Sequence, residues 1–299
     1  MKIAIFGSTG MIGSAATIYL SRLEHSVIEV NREGISITGK NAVRKFDALT
    51  DSVDQLLSSF PSDTILVNLI GVIRHKIDSH SEESLSQAKK VNSDFPKLLV
   101  QSASNLNLRV VQIATDCVFS GNDGAYSEDS RVDPVDIYGE TKVVGEITAE
   151  NLLTLRVSIV GREIENHVEL MDWVISQPQN SVIKGFSNHF WNGITSLHFA
   201  KILDGVLKES VNTNGTFHLI PTGAVTKLEL IQMIAALSGR FDLKIVATLS
   251  EKSIDRTLRT NYKEINAEFW RSAGYQDIPT IRIMLEEYFR WIESNGQGE

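Results

Sequence analysis

The chain has 299 residues, of which 42% are apolar and 22% charged, so its composition suits a well-buried core and argues against disorder. Its net charge of −8 leaves no excess of lysine and arginine to neutralise phosphates, which argues against a nucleic-acid partner. The one cysteine, Cys117, excludes an internal disulfide and a zinc site made of paired cysteines. Because no apolar run approaches the ~20 residues of a membrane span, we expect a cytoplasmic protein without a membrane partner.

Strands and helices alternate through the first half of the sequence. Short apolar runs rich in β-branched residues predict strands, and the run at 64–71 is typical of a strand buried on both faces. Pro96 lies inside a helical pattern and predicts a kink or a break there. The alternation favours an α/β fold with a Rossmann-type doubly wound parallel sheet. The predicted strands are 2–6, 26–30, 42–46, 64–71, 109–115 and 152–160, and the predicted helices end near Arg22, cover 51–60 and 82–106, and contain Tyr138.

Beyond about residue 160 the alternation becomes less regular. We therefore divide the chain into an NAD(P)-binding domain, residues 1–160, and a smaller C-terminal α/β lobe, residues 161–299, that mainly binds substrate. The sequence contains no low-complexity linker, so we expect the lobe to pack tightly on the first domain. The predicted helices of the lobe are 168–177, 197–209, 227–239 and 281–294, and its predicted strands are 215–220 and 244–249.

A glycine-rich turn follows the first predicted strand and opens the first helix. The segment "FGSTGMIGS" spaces Gly7, Gly10 and Gly13 three apart and also contains Thr9. Side chains larger than hydrogen at such a turn would hold a pyrophosphate away from the backbone N–H groups of the helix N-terminus. The spacing is GxxGxxG rather than GxGxxG, and glycine turns also serve packing alone. Its position in the first strand–turn–helix unit favours a dinucleotide site.

The ends of the next two strands indicate which dinucleotide binds. An NAD site usually has an acidic residue after the second strand, bonded to the ribose 2′-OH, whereas this chain has Asn31 and Arg32. An arginine can pair with a 2′-phosphate, so NADPH is favoured over NADH; the alternative is a solvated arginine. Asp47, after the third strand, is a candidate acceptor for the adenine amino group or a helix cap.

Three residues form a candidate proton-transfer site. Tyr138 and Lys142 are one helical turn apart and leave the same helix face. Thr115 ends a predicted strand, and strands of such a sheet direct their carboxyl ends to the ligand crevice. Carbonyl reduction needs a hydride on carbon and a proton on oxygen, and a neighbouring ammonium lowers the pKa of a phenol from about 10.

This chemistry suggests a role for each of the three side chains. We interpret Tyr138 as the proton donor and Thr115 as a hydrogen-bond donor to the substrate carbonyl. Lys142 would lower the phenol pKa and bind the nicotinamide ribose. A YxxxK pair alone is common on helix surfaces, so the interpretation depends on its combination with the glycine turn and the hydroxyl at a strand end.

The segment "ATDCVFSGNDGAYSEDSRVDPVDIYGETKVVGE" resembles the strand end, substrate loop and catalytic helix of the extended short-chain dehydrogenase/reductase superfamily. The closest resemblance is to dTDP-4-dehydrorhamnose reductases, whose cofactor segments are similar to "FGSTGMIGS", "FDALTD" and "LVNLIG" in the same order. The resemblance covers residues 1–160 well and the rest loosely. It implies NAD(P)H-dependent reduction of the 4-keto group of a nucleotide-activated 6-deoxysugar in polysaccharide biosynthesis, with Thr115, Tyr138 and Lys142 in the catalytic positions.

The same resemblance implies further contacts. Asp116 matches a position that touches the sugar. Two positions depart from the family, which usually has tyrosine at Cys117 and tryptophan at Ile159, so the product can differ from rhamnose. The implied cofactor residues are Gly7, Gly10, Met11, Ile12 and Gly13 at the pyrophosphate, Asp47 and Ala48 at the adenine, and Leu69, Ile70 and Gly71 beneath the nicotinamide half.

Cys117 and the second lobe leave alternatives open. Related GDP-fucose synthases use a cysteine at this position with a histidine to epimerise the sugar, and period-two geometry would turn Cys117 towards the crevice with His189 as partner. We favour a buried packing cysteine and an ordinary loop histidine. Trp191 is a candidate to stack on the base or sugar, and Arg256 with Arg259 to pair with a diphosphate; the alternatives are a core tryptophan and solvated arginines.

Three functions therefore stand at this point. The leading one is a sugar-nucleotide 4-ketoreductase, and the second is an epimerase or epimerase–reductase on the same scaffold. The third is a non-catalytic dinucleotide-binding regulatory subunit, like the partner of methionine adenosyltransferase. The sequence contains no metal-ligand cluster, and it is compatible with a homodimer without fixing the oligomeric state.

Overall fold

The computed structural model describes residues 1–164, 167–208 and 213–295. The strands in this part of the chain are β1 (Lys2–Phe6), β2 (Ser26–Asn31), β3 (Ala42–Lys45), β4 (Thr64–Asn68), β5 (Val110–Ala114), β6 (Leu152–Arg156), β7 (Ile159–Val160), β8 (Val182–Phe186), β9 (His189–Trp191), β10 (Ile194–Thr195), β11 (Gly215–His218), β12 (Val225–Thr226), β13 (Lys244–Thr248) and β14 (Ile254–Asp255). The α-helices are α1 (Met11–Leu20), α2 (Val53–Ser58), α3 (Glu82–Lys89), α4 (Phe95–Asn105), α5 (Ile137–Gly145), α6 (Leu170–Ile175), α7 (Ser196–Lys208), α8 (Lys227–Leu237), α9 (Lys263–Ser272) and α10 (Ile281–Ser294).

Seven parallel strands form the central sheet in the order β11-β6-β5-β4-β1-β2-β3. The order reverses direction between β1 and β4, and a crevice for a ligand opens at the carboxyl ends of the strands at such a switch point. The predicted α/β fold with a Rossmann-type parallel sheet is confirmed. The switch point lies beside the glycine turn that follows β1 and so positions the candidate site.

Alternate residues of β1 pack into two different core layers. Ile3 and Ile5 belong to the cluster that also contains the buried face of α7, whereas Ala4 and Phe6 face the layer of α2 and α4. In the second layer the Phe6 ring meets Phe46 edge-on at 6.0 Å between centroids. Burial of each such side chain contributes about 1.5–3 kcal/mol. A strand buried on both faces explains the continuous apolar sequence of "KIAIF".

The C-terminal part of the chain forms three small sheets beside the large one. They are β10-β7, the three-stranded β12-β9-β14 and β13-β8, and α8 packs on β8 and against α6. However, β11 completes the central sheet beside β6, and α7 packs against α1. Two elements from beyond residue 160 therefore pack with the predicted first domain. The assignment of cofactor binding to residues 1–160 and of substrate binding mainly to residues 161–299 stays a prediction.

Several local predictions can be compared directly with the structure. The predicted helix over 82–106 is interrupted as expected: a π-helical turn at 90–94 separates α3 from α4, and Pro96 follows in the first turn of α4, where its missing N–H is not needed. The predicted strand 152–160 is two strands, β6 and β7. Residues 197–208 of the predicted helix 197–209 lie in α7, and residue 209 lies outside the described residues. Sequence patterns did not predict α9, β8 or the two- and three-residue strands other than β7. None of the described helices is long and apolar enough to cross a membrane.

Candidate active site

The glycine turn brings the start of α1 against the end of β1. Gly7 has φ = +82°, a conformation that favours glycine, and a Cβ at Gly13 would overlap the carbonyl oxygen of Gly7. The N-cap residue Gly10 has no side chain that could accept from the first N–H groups of α1. The first turn of this helix also contains no acidic residue. Helix N-termini leave N–H groups without intrahelical partners, so this end is suited to an anion such as a pyrophosphate. Thr9, Met11 and Ile12 lie partly buried in the same turn.

The end of β2 supports the glycine turn from the side. Asn31 is buried, and its Nδ2 donates to Ser8 Oγ (2.9 Å) while its Oδ1 accepts from the Gly34 N–H (2.8 Å). Both ends of this amide are therefore engaged within the protein, and a cofactor contact by Asn31 stays a prediction. Arg32, the next residue, is exposed, and its contact with a 2′-phosphate stays a prediction.

The loop after β2 is organised by Glu29, which the sequence analysis did not identify. This carboxylate is fully buried on β2, which lies between β1 and β3. It accepts hydrogen bonds from Ser36 Oγ (2.7 Å) and the Ile37 N–H (2.8 Å), and it binds the side chains of Thr38 and Asn41 as well. Glu29 therefore fixes the loop that follows Arg32, and an acidic residue inside an otherwise apolar strand was the available signal.

The remaining predicted cofactor residues lie at neighbouring strand ends. Asp47 accepts from the Leu49 N–H (2.9 Å), beside the partly buried Ala48. The alternative that Asp47 caps α2 is wrong, because Ser52 caps that helix. Leu69, Ile70 and Gly71 follow β4, and the Ile70 side chain lies 3.2 Å from the position of a Cβ on Gly7. These residues flank the glycine turn, and their cofactor contacts stay predictions.

Thr115, Tyr138 and Lys142 meet at the carboxyl end of β5. Thr115 directly follows the strand and is buried; its Oγ1 donates to Asp116 Oδ1 (3.2 Å) and accepts from the Cys117 N–H (3.1 Å), and the hydroxyl lies near enough to the Tyr138 phenol to lower its pKa. Lys142 is buried beneath the strand end, where its Nζ donates to the Ile113 carbonyl (3.4 Å). The sequence prediction that these three side chains converge therefore agrees with the geometry, while their catalytic roles remain to be tested.

Electrostatics at this site favour a protonated phenol. Burial raises the pKa of Tyr138, the neighbouring Cys117 and Asp116 raise it further, and the Thr115 hydroxyl lowers it by less. Burial lowers the pKa of Lys142, while Glu146 raises it. The expectation that Lys142 lowers the phenol pKa stays a prediction. A phenol that keeps its proton is the form that donates during a reduction.

Two glycines let the tyrosine helix approach its neighbours. A Cβ on Gly139 would overlap the Cys117 carbonyl oxygen, and a Cβ on Gly145 would overlap the Asn92 carbonyl oxygen. The helix begins at Asp136, whose side chain accepts from the Gly139 N–H (2.9 Å). The sequence "DIYGETKVVG" therefore places α5 tightly against the end of β5.

Asn92, which the sequence analysis did not identify, connects the cofactor side to α5. It lies in the π-helical turn and is buried. Its Oδ1 accepts from the Val72 N–H (2.8 Å), and its Nδ2 donates to the Val72 carbonyl (2.9 Å) and to Thr141 Oγ1 (3.1 Å). π-helical turns often occur at functional sites, and the break predicted near Pro96 was the available signal.

Asp116, Cys117 and Arg256 form the next layer around the phenol. Residues 116–118 make a 3₁₀ turn, so the period-two argument for the direction of Cys117 is wrong, although the thiol does lie near Tyr138. Burial and the Asp116 charge raise the pKa of Cys117 to about 12. Arg256 is not simply solvated: Nε donates to the Phe119 carbonyl (2.9 Å), and Nη1 lies 3.9 Å from Cys117 Sγ. A thiol with this pKa stays neutral, which favours the packing interpretation of Cys117.

The other predicted substrate residues lie in the small sheets. Trp191 is partly buried, and its indole N–H donates to Ser158 Oγ (2.9 Å). Ile159 begins β7 and packs against the core. His189 stacks on Phe186 at 4.5 Å between ring centroids, and no described contact joins it to Cys117. The sugar contacts of Ile159 and Trp191 stay predictions.

Glu169 and Lys227 also belong to this region and were not identified from the sequence. Glu169 raises the pKa of Tyr138, and the Lys227 ammonium acts on Glu169 and Asp116. Both residues line a cavity of about 650 Å³ between α6, β8 and α8. Single charged residues at the starts of predicted helices gave no signal of this arrangement. The described residues contain no cluster of side chains that could hold a metal ion.

One family model matches nearly the whole chain. The family model described as the RmlD substrate binding domain matches residues 1–293. The chain belongs to this family. The match extends over the central sheet and the small sheets together, so the predicted resemblance to dTDP-4-dehydrorhamnose reductase-like proteins is confirmed at the level of the family.

Proteins similar to this chain include reductases and a subunit of another enzyme. The chain is 24% identical over 298 residues to a dTDP-4-keto-6-deoxy-D-glucose reductase of Streptomyces niveus, covering 97% of each chain. The crystal structure of dTDP-4-dehydrorhamnose reductase from Bacillus anthracis in complex with NADP has a TM-score of 0.75 at 18% identity, covering 97% of this chain and 99% of that one. The beta subunit of methionine adenosyltransferase 2 from Bos taurus is 23% identical over 258 residues, covering 81% of this chain and 72% of that protein.

Proposed function

We propose that this RmlD-family protein is an NADPH-dependent reductase of the 4-keto group of a nucleotide-activated 6-deoxysugar. The observation that carries the proposal is the convergence of Thr115, Tyr138 and Lys142 at the end of β5, at the edge of the sheet where the glycine turn opens α1. The reductases among the similar proteins support the same substrate class. In this account residues 1–160 mainly bind the cofactor and residues 161–299 mainly bind the substrate.

The glycine turn and the adjacent strand ends form the proposed cofactor site. The first turn of α1 holds the pyrophosphate, because Gly7, Gly10 and Gly13 leave its N–H groups accessible. Arg32 pairs with the 2′-phosphate, which favours NADPH, and NADH is the alternative. The bound nicotinamide supplies a hydride to the substrate carbonyl carbon.

Three side chains complete the proposed reaction. Thr115 donates a hydrogen bond to the carbonyl oxygen and aligns it with the phenol. Tyr138 transfers its proton to that oxygen, and the raised phenol pKa keeps this proton in place at neutral pH. Lys142 binds the nicotinamide ribose and stabilises the phenolate that remains. Proton donation of this kind contributes ~10²- to 10⁴-fold to the rate.

The test is NADPH oxidation with a panel of 4-keto-6-deoxysugar nucleotides that carry dTDP, UDP or GDP. We expect one equivalent of NADPH consumed per sugar reduced, followed at the reduced-nicotinamide absorbance band and checked by mass spectrometry of the product. Absence of NADPH consumption across the panel, with NADPH still bound, would contradict the proposal.

Two other functions remain as alternatives. An epimerase would retain its nicotinamide and change the sugar without net NADPH oxidation; the neutral Cys117 thiol weighs against its use of that residue as a base. A regulatory subunit would bind the dinucleotide and catalyse nothing, which the likeness to the methionine adenosyltransferase beta subunit favours. Equal inactivity of the wild type and of Tyr138→Phe, with both binding NADPH, would favour the regulatory subunit.

A further inference from the structure

Lys142 is buried with most of its hydrogen-bonding capacity unused. An ammonium has three donors, and the hydrogen bond that Lys142 makes in the described part of the chain is the long one to the Ile113 carbonyl (3.4 Å). Burial lowers the pKa of this lysine, so its surroundings favour the neutral amine. In the proposed reaction Lys142 has to keep its charge, which requires support from another group.

Glu146 provides this support from the end of the same helix. It follows Lys142 by one helical turn and is the C-cap residue of α5. Of the ionisable side chains in residues 1–164, 167–208 and 213–295, it is the one that raises the pKa of Lys142. The helix dipole disfavours a carboxylate at a helix C-terminus, so an interaction outside α5 has to hold Glu146 there.

Arg156 holds the Glu146 carboxylate from the neighbouring strand. This arginine ends β6, lies opposite Ala114 of β5 and is buried. Its Nε and Nη2 donate to the two carboxylate oxygens of Glu146, whose side chain is 10% exposed. Two parallel hydrogen bonds from one guanidinium fix both the position and the orientation of a carboxylate.

The guanidinium of Arg156 is itself held on its other sides. His218 Nδ1 lies 2.8 Å from the Arg259 carbonyl, which can only accept, so the proton is on Nδ1 and Nε2 accepts from Arg156 Nη1 (2.8 Å). The guanidinium also lies over the Phe119 ring, 5.2 Å from its centroid. Arg156 therefore cannot turn away from Glu146 without losing both of these contacts.

The other ionisable groups around α5 do not support Lys142. Asp116 and Cys117, in the turn after β5, act on Tyr138. The π-helical turn contacts α5 through Asn92 and Ser93, which do not titrate. The charged side chains of the segment that packs beside α5 have no effect on the pKa of Lys142; they are Glu82, Glu83, Lys89, Lys90, Asp94 and Lys97. Loss of Glu146 is therefore not compensated by a neighbouring carboxylate.

We propose that Glu146, held by Arg156, is a positioning residue that keeps the Lys142 ammonium charged and in place beneath the end of β5. This inference rests on the proposed function, because it concerns the lysine of the same site. Glu146 touches neither substrate nor cofactor in this account and acts through Lys142. Without the carboxylate, Lys142 loses its proton at a lower pH, and the reductase loses activity on the alkaline side of its pH profile.

The first experiment is an NMR titration of the full chain labelled with ¹³C at the lysine Cε atoms, with Lys142→Met to assign the signal. Glu146→Gln should lower the pH at which the Lys142 signal titrates, because the ammonium loses the charge that favours it. Glu140→Gln is the matched control, since it removes the same charge from an exposed position of the same helix and should leave the titration unchanged. This measurement needs neither substrate nor NADPH.

Two further variants separate the charge of Glu146 from its effect on folding. Glu146→Gln leaves Arg156 buried without its carboxylate, which destabilises a fold. The double variant Glu146→Gln/Arg156→Met removes both charges of the pair, and the Lys142 signal should shift in it as in the single variant. Glu146→Asp keeps a carboxylate and should restore most of the wild-type titration.

The pH profile of kcat for NADPH-dependent reduction is the second experiment. On its alkaline side, kcat of Glu146→Gln should fall about tenfold below the wild type at the same pH, while KM for the sugar nucleotide changes less than about twofold. A purely structural role of Glu146 would reduce the amount of folded protein and leave the pH profile in place.

Wild-type titration of Lys142 in both Glu146→Gln and the double variant would overturn the inference, and so would an equal shift in Glu140→Gln. Unchanged titration together with NADPH-dependent reduction would remove the role of Glu146 and leave the reductase. Conversely, the expected shift in a protein that oxidises no NADPH with any 4-keto sugar nucleotide would support the role of Glu146 and contradict the reductase.

Discussion

The cofactor side and the substrate side of the cleft are constructed differently. On the cofactor side, one short segment between β1 and α1 makes the turn, and Asn31 supports it from the next strand. On the substrate side, the loop over 120–134 depends on distant residues: Glu128 accepts from the His218 N–H and from the hydroxyl of Thr260, 90 and 132 positions away. Local sequence therefore determines the first half of the site, and tertiary contacts determine the second.

The largest expected effect is on the cofactor side, at Gly13. Gly13→Ala places a Cβ against the Gly7 carbonyl oxygen, a backbone atom that cannot move without shifting the turn. We expect a loss of about 1–3 kcal/mol in the free energy of unfolding and at least a tenfold loss in NADPH affinity. Urea unfolding and fluorescence titration with NADPH measure the two effects.

Gly10→Ala is the control for that substitution. A Cβ at Gly10 meets its nearest atom, the Gly7 carbonyl oxygen, at 3.4 Å, an ordinary contact. We expect near wild-type stability, although the added methyl group at the pyrophosphate turn should still weaken NADPH binding. Equal losses of stability in the two variants would show that the close approach of α1 to β1 does not control this side of the cleft.

A smaller effect is expected on the substrate side, at His218. Burial first and the charge of Arg156 second lower the pKa of His218 from 6.5 to about 4, while Glu128 raises it. The unfolded chain therefore binds more protons than the folded protein between these values. The contribution of His218 to the free energy of unfolding is complete above pH 6.5 and decreases as the pH drops towards 4. About 2 kcal/mol of this contribution is lost at pH 5.

Urea unfolding at pH 7 and pH 5 measures this dependence. His218→Gln should remove about 2 kcal/mol of the difference between the two pH values, whereas His80→Gln, on an exposed loop, should not. If the free energy of unfolding of His218→Gln depends on pH as it does in the wild type, the contact between the substrate loop and β11 does not involve a buried neutral imidazole.

The smallest effect is expected at Arg32. Arg32→Ala removes an exposed guanidinium that we propose for the 2′-phosphate, so the preference for NADPH over NADH should fall about tenfold, as for loss of one charge-assisted hydrogen bond. The ratio of kcat/KM for the two cofactors measures the preference. Arg22→Ala, outside the loop after β2, serves as the control, and an unaltered ratio in Arg32→Ala would assign the preference to other residues.

The parts of the fold and site that sequence predicted are those with local physical causes. An apolar run predicts β1, and backbone sterics predict the turn at Gly7. Helical periodicity places Tyr138 and Lys142 on the same face of one helix. Sequence patterns did not predict Lys227 or Glu169, because each is brought to the site by strands only two residues long or by a loop. Sequence also gives no measure of burial, which is the largest cause of the raised pKa of Tyr138.

The most direct test of the account is single-turnover hydride transfer by the Tyr138→Phe variant with NADPH bound and a 4-keto sugar nucleotide that the wild type reduces. The account predicts unchanged affinities for both ligands and a rate of hydride transfer that is lower by ~10²- to 10⁴-fold. Hydride transfer at the wild-type rate in this variant would contradict it, since the proton would then come from a group other than the phenol at the end of β5.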